Sequence, residues 1–542
     1  MTETTLFHAR KIITMDPNCP EATHVAVRGG RILAVGGADC ADPWGGADLD
    51  DSLADHVLMP GFVEGHAHMM AGAMWRYPYV GYHDRIDPQG VLWPGMSRID
   101  EVINRLKRAD GAMQDPDTPL FAWGFDPIFL DTERLNKTHL DAVSATRPVV
   151  VQHSNFHLLT ANTAALNLAQ YSRETNIDGV AKGPDGELNG ELQEMAAMFP
   201  LMRRVGVDFR SLSAHPDTID QFGWVCRRAG VTTITDLHAA LPDDDVAALA
   251  KATSRDYPVR IVPMLGAAMM PPKDVAPRAL ELTKKSTDLM RLGAVKLVLD
   301  GSIQGYTARL RWPGHVNGAA NGLWVIAPEQ AEELIHSCHE NHVQMHIHTN
   351  GDEASVVAID ALERAMSAHH WPDHRHTLQH GQMIDRALFR RMAKLGICAN
   401  LFANHIWYFG DQHVAKSIGR DRAARMDACR TALDEGVALT IHSDAPVTPL
   451  APLFTAWVAV NRRTMTDQEL GPAQKIDVME ALHAITLGAA YTLRMDHEIG
   501  SIECGKLADF AVLSDDPTAV DPMAIRDVAV HGTVSGGRVF LH

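Results

Sequence analysis

Met59-Pro60-Gly61-Phe62-Val63-Glu64-Gly65-His66-Ala67-His68-Met69-Met70 decides how the rest of this chain is read. A Pro-Gly pair opens the stretch, apolar residues follow, and two histidines two positions apart close it. In a β-strand, residues i and i+2 share a face. His66 and His68 then present two imidazoles side by side at a strand end, as two ligands of one metal ion require. The chain holds 29 histidines, so this pair alone does not separate a metal site from a hydrogen-bonded or solvated pair. The downstream pattern does.

Seven further strand-like runs follow, at residues 230–236, 260–265, 294–300, 343–348, 375–380, 397–401 and 437–444. Helix-like segments separate them, including Pro328 to Asn341, Ala354 to Ala368, Asp421 to Glu435 and Met479 to Leu493. Eight strands alternating with helices predict an α/β fold, a (β/α)8 TIM-type barrel. In such barrels the chemistry sits at the C-terminal strand ends. Those ends carry His66 and His68, Lys296 and Asp300, His346 and His348, His380, and His442 and Asp444. Core strands normally end in apolar or small residues, so this set points to a metal site. Lys296 has two readings: a buried partner of Asp300, or a neutral amine carbamylated by CO₂.

Working outward, residues 1–58 read as β, with a hairpin signal where His24–Arg28 and Arg31–Val35 flank Gly29-Gly30. Residues 498–542 read the same way, and neither end buries a core alone. Both ends are expected to form one small composite β-sandwich. The barrel then comprises residues 59–71 and 211–497. Residues 72–210 exceed a simple loop and read as an inserted subdomain over the barrel mouth. It holds a helix candidate near Ile99–Ala109 and the run Val149–His153.

Of the 542 residues, 46% are hydrophobic and 21% charged, which is the composition of a globular protein. The formal net charge of −18 argues against a nucleic-acid or anionic-membrane surface. No apolar run is long enough to span a bilayer, and the first residues lack the pattern of a leader. Seven scattered cysteines with no C-x-x-C pair fit a reducing cytoplasm rather than a disulfide framework. A small-molecule substrate and a homodimer are the expected partners.

The order H-x-H, Lys, His, His, Asp resembles the amidohydrolase superfamily. Pro60-Gly61-Phe62, Asp300-Gly301-Ser302, His348-Thr349-Asn350-Gly351-Asp352, Ser443-Asp444-Ala445-Pro446 and Gly500 to Asp509 are similar to its family 3 branch, which includes N-substituted formamide deformylases. Trp123-Gly124-Phe125-Asp126, His157 followed by Asn162, and Gly190 to Glu194 extend the likeness into the insertion. Glu64, Gln379, His346 and His442 depart from the branch pattern.

The resemblance implies that His66, His68 and Asp444 bind one metal, and that His348 and His380 bind a second. Carbamylated Lys296 would bridge the two. Zn²⁺, one or two per chain, is the implied ion, and its bound water would attack a C–N bond in an amide, N-formyl or cyclic amide. Asp444 would shuttle the proton, and His157 would polarise the carbonyl. Aromatic residues of the expected mouth loops include Trp75, Tyr77, Tyr79, Tyr82 and His83. From these loops and strand ends, Trp123, Phe125, Asp300, His405 and Trp407 are the substrate-binding candidates, for an apolar or aromatic molecule. A metal-dependent lyase, hydratase or retro-aldolase on the same scaffold is the second reading. A non-catalytic interaction scaffold is the third.

Overall fold

A computed structural model describes residues 3–130, 134–254 and 256–542; Met1 and Thr2, the start of the stretch read for a leader, lie outside it. Eight strands form one parallel sheet in sequence order. They are β1 (Phe62–Glu64), β2 (Val231–Ala239), β3 (Arg260–Gly266), β4 (Val295–Val298), β5 (Met345–Thr349), β6 (Thr377–His380), β7 (Cys398–Leu401) and β8 (Leu439–Ile441). A parallel bridge between Ala67 and Ala445 brings the segment after β1 to the segment after β8. Eight parallel strands with helices between them make this a TIM-like α/β fold. All seven later strands fall where the sequence places them.

His66 and His68 lie just beyond β1, not inside it. Their backbone is held on both sides: the Leu237 N–H donates to the Ala67 carbonyl, and the His68 N–H donates to that of Ala445. Gly61 is required for the approach to β2, because a Cβ there would lie 2.0 Å from Thr232 Oγ1.

Proline at the first turn starts the helices Pro216–Arg228, Pro272–Thr283, Pro328–Glu340 and Pro452–Asn461, where its missing N–H costs nothing. Two expected helices are broken. Asp421 to Glu435 splits into Arg420–Ala423 and Cys429–Asp434. The buried Arg462 guanidinium takes the freed carbonyls of Met426 and Asp427. Met479 to Leu493 splits into Val478–Ala484 and Leu487–Thr492. There the Thr440 hydroxyl bonds the Ala484 carbonyl and the Val63 N–H bonds that of Ile485. In each case a tertiary donor outcompetes the helix, which propensity alone does not forecast.

Strands from both termini pair in a single mixed sheet of eight strands, in which Phe510–Leu513 lies antiparallel to Val57–Pro60. Phe7, Ile12, Leu58, Phe510 and Val512 are among its buried core residues. Asp509 anchors this sheet to β3 through Arg260, 3.0 Å away with both side chains buried.

Between β1 and β2 the chain forms a separate five-stranded sheet, built from Leu120–Phe125, Val149–His153, Leu158–Ala161, Val180–Lys182 and Leu188–Gln193. Asp126 follows its first strand. Burial raises the Asp126 pKa to about 6, against bonds from the Ile128 N–H and the Ser154 hydroxyl. An unfolded carboxyl ionises near pH 3.8, so the unfolded state sheds this proton first. Stability therefore falls between about pH 4 and pH 6 and stays lower above. Asp126→Asn keeps the shape without the charge. We expect it to raise the unfolding free energy by about 1–3 kcal/mol at pH 7.5 and to leave it unchanged near pH 3.5, as measured by denaturant titration at both pH values.

Among the described residues, no helix is long and apolar enough to cross a membrane, and all seven cysteines are free.

Candidate metal centre and active-site cavity

The ends of β1, β4, β5, β6 and β8 converge on one cavity of about 720 Å³. His66, His68, His157, Lys296, His348, His380 and Asp444 all line it. These residues are separated by up to 378 positions in the chain, and the sheet alone brings them together.

The arrangement of His66, His68 and Asp444 follows from their outer hydrogen bonds. His66 Nδ1 donates to Gln379 Oε1 at 2.7 Å. His68 Nδ1 donates to the Leu237 carbonyl at 2.8 Å. With Nδ1 carrying the proton, each Nε2 presents a lone pair. Both Nε2 atoms lie 3.4 Å from Asp444 Oδ1, and that oxygen is buried with no hydrogen-bond partner among the described residues. Burial holds the His66 pKa well below its ordinary value, with Lys296, His442 and His68 adding to the effect. Two lone pairs and a carboxylate oxygen thus face one another with no proton between them. That arrangement is repulsive by itself and fits a divalent cation.

The second half of the set is His348, His380 and Lys296. The imidazoles of His348 and His380 meet edge to face, 4.4 Å between centroids. Burial, chiefly, holds both pKa values well down. His348 Nε2 is 3.2 Å from the Gly301 carbonyl and from Asn350 Nδ2. Lys296 Nζ is buried without a hydrogen-bond partner among the described residues. Burial lowers its pKa to about 7, opposed only by Asp444, so much of it is the neutral amine at neutral pH. It does not pair with Asp300, the alternative that the sequence left open.

The departures from the family pattern are built into one network. Gln379 Oε1 accepts from His66 and from Asn400 Nδ2 at 2.8 Å, while its Nε2 donates to His346 Nδ1 at 2.6 Å. A glutamate there could only accept from the other tautomer of His346, whereas Gln379 also offers a donor. His442 Nδ1 donates to Asn400 Oδ1, its Nε2 lies 3.2 Å from His380 Nδ1, and its ring stacks on Phe402. His66, His380 and His442 form a second group close enough to share an ion, which the sequence reading did not assign. Glu64 accepts from the His66 N–H and from the Ser443 N–H and hydroxyl. It ties the segment after β1 to the one after β8. Burial raises its pKa to about 8.

His157 enters from the inserted segment. Its Nδ1 bonds Glu194 Oε2 at 2.9 Å, and its ring lies 5.3 Å from that of His348. Burial opposes the imidazolium, but the Glu194 carboxylate outweighs it and the pKa is raised. His380, Asp444, Glu194 and His238 all hold positive φ, at 66°, 52°, 61° and 73°. Such backbone is costly for residues other than glycine and concentrates at functional sites.

The five substrate-binding candidates are not among the residues lining this cavity. Trp123 is buried among Trp75 and Tyr79. Phe125 packs on His153. Trp407 packs on His83 and Phe454. His405 faces the buried Asp427 at 3.3 Å. Asp300 accepts the N–H groups of Arg309, Asn350 and Gly351, so it shapes the loops behind His348. Trp123 and Phe125 thus pack within the insertion, and Trp407 packs between the insertion's His83 and the barrel's Phe454. The cavity is instead lined by methionine and phenylalanine side chains of residues 69–70 and 195–209, with His238 from β2.

A sequence model described as the amidohydrolase family matches residues 52–540. The chain is 27% identical to Protein LONG AFTER FAR-RED 3 of Arabidopsis thaliana over 93% of this chain and 86% of that one. It is 25% identical to N-substituted formamide deformylase of Arthrobacter pascens over 97% and 96%. Among solved structures, an uncharacterized metal-dependent hydrolase of Pyrococcus horikoshii OT3 superposes with a TM-score of 0.71 at 20% identity, covering 96% of this chain and 99% of that one.

Proposed function

Because the chain belongs to the amidohydrolase family, we propose that it is a metal-dependent hydrolase of an amide, N-formyl or cyclic amide C–N bond in a small, apolar molecule. The observation that carries this is the convergence of His66 Nε2 and His68 Nε2 on the unpartnered Asp444 Oδ1. His66, His68 and Asp444 would hold one ion. His348 and His380 would hold a second, with Lys296, as its carbamate, between them. Zinc suits imidazole and carboxylate donors, and when bound it supplies a Lewis acid that polarises a carbonyl and acidifies water near neutral pH.

The remaining work falls to the chain itself. Asp444 takes a proton from the attacking water at a carboxylate oxygen and returns it to the leaving nitrogen as the C–N bond breaks. The N-formyl or acyl group leaves as the acid, and the nitrogen leaves as the amine. His157, held by Glu194, donates from Nε2 to the carbonyl oxygen as charge builds there. Gln379 and Leu237 keep His66 and His68 in the tautomers that the site needs.

Amine release from a panel of formamides, amides and cyclic amides tests this reading, with ¹⁸O-labelled water as solvent. Hydrolysis places one labelled oxygen in the acid product. An unlabelled product, or none in the presence of zinc, overturns it. Glu194→Gln removes the anion that keeps His157 protonated. It is expected to lower kcat by about 10- to 100-fold, with a smaller change in KM.

A further inference from the structure

We infer that the substrate carries a long, flexible, unbranched apolar arm on one side of its scissile bond, and that one face of the helix Glu194–Arg204 guides this arm away from the reacting carbonyl. The inference rests on the hydrolytic reading above and names the substrate class within it. The helix begins at the residue that holds His157. Met195, Met198, Phe199 and Met202 then line the same cavity as the converging histidines. Their spacing of i, i+3, i+4 and i+7 puts them on one helix face. At 1.5 Å rise per residue, the stripe runs about 10 Å from Met195 to Met202, the length of an octyl chain.

The other walls of the cavity continue this character. Phe209 and Leu241 line it as well. Beyond the converging ligand set, the charged lining residues Arg203 and Asp208 are solvent-exposed and Asp245 is half-buried, while the buried Asp236 is occupied in accepting the Met69 N–H. A simple formamide would leave most of the 720 Å³ as wetted apolar wall, whereas an apolar arm gains free energy with each methylene buried. Methionine side chains have several rotatable bonds and a polarizable sulfur, and they adapt to flexible apolar ligands better than branched side chains do.

The test compares N-octylformamide with N-methylformamide on the zinc-loaded enzyme. The expected kcat/KM is at least about 100-fold higher for the octyl compound. Phe199→Asp and Met202→Trp should each cut that ratio by about tenfold or more. Phe199 is partly exposed, which favours folding of its variant. Fluorescence of the neutral probe N-phenyl-1-naphthylamine supplies a readout without turnover. Binding to the native protein that weakens about tenfold in Phe199→Asp supports the channel, even when neither formamide is cleaved and the hydrolytic reading falls. Equal kcat/KM for the two formamides, with probe affinity unchanged in both variants, overturns the channel and leaves the hydrolytic reading standing.

Discussion

Asp444→Asn is expected to lower kcat/KM by about 1,000-fold or more and to release bound metal, while the metal-free protein melts no lower than the native one. The carboxylate is the anion toward which both His66 Nε2 and His68 Nε2 point, each at 3.4 Å. An asparagine amide replaces one acceptor oxygen with an N–H donor. That donor satisfies a histidine lone pair and fills the place of the cation. The variant therefore loses charge, proton acceptor and metal together, yet gains a hydrogen bond where the native Oδ1 has none. Steady-state kinetics, metal analysis and thermal melts of metal-free samples check the three parts. A variant with near-native activity contradicts the assignment of Asp444.

Lys296→Met separates function from stability in the other direction. The Lys296 amine is buried with no hydrogen-bond partner, and burial drags its pKa from 10.5 to about 7. In the unfolded chain it is protonated up to about pH 10.5. Folding therefore carries a cost that is full below about pH 7 and fades as pH rises toward 10.5. Methionine has similar reach and no charge to desolvate. The metal-free variant is expected to gain about 1–3 kcal/mol at pH 7, with the gain vanishing near pH 10.5. Activity should fall by about 100-fold or more, because no carbamate forms on a thioether. Denaturant titrations at both pH values and amide turnover measure these effects. A variant that is both less stable at pH 7 and fully active contradicts the reading of Lys296.

Much of this site is visible in the order of residues. Alternation places His346 with His348 on β5, whereas His66, His68, His442 and Asp444 lie just past the ends of β1 and β8, and the eight strand positions follow from apolar runs between helical segments. Other features depend on contacts that no local pattern carries. The Gln379 bridge between His66 and His346 spans 313 and 33 positions. The positive φ of His380 and Asp444 is uncommon for residues other than glycine, and no local pattern marks it. The aromatic loops mislead because Trp and Tyr serve packing and binding with the same surface, and only the three-dimensional arrangement shows Trp123 and Trp407 turned into the insertion contacts. The methionine stripe of Met195, Met198 and Met202 lies on a helix, Glu194–Arg204, that is not among those expected from the sequence. Its place on the cavity was not legible either, because residues 72–210 gave no sign of which face meets the barrel.

The most direct test of the metal centre is elemental analysis of the purified protein and of His68→Ala, alongside amide turnover before and after chelation. One to two zinc ions per native chain, fewer in the variant, with turnover lost on chelation and restored by zinc, is the expected result. A protein that hydrolyses its substrate at full rate after complete chelation, or that retains its full metal content in His68→Ala, would contradict the account.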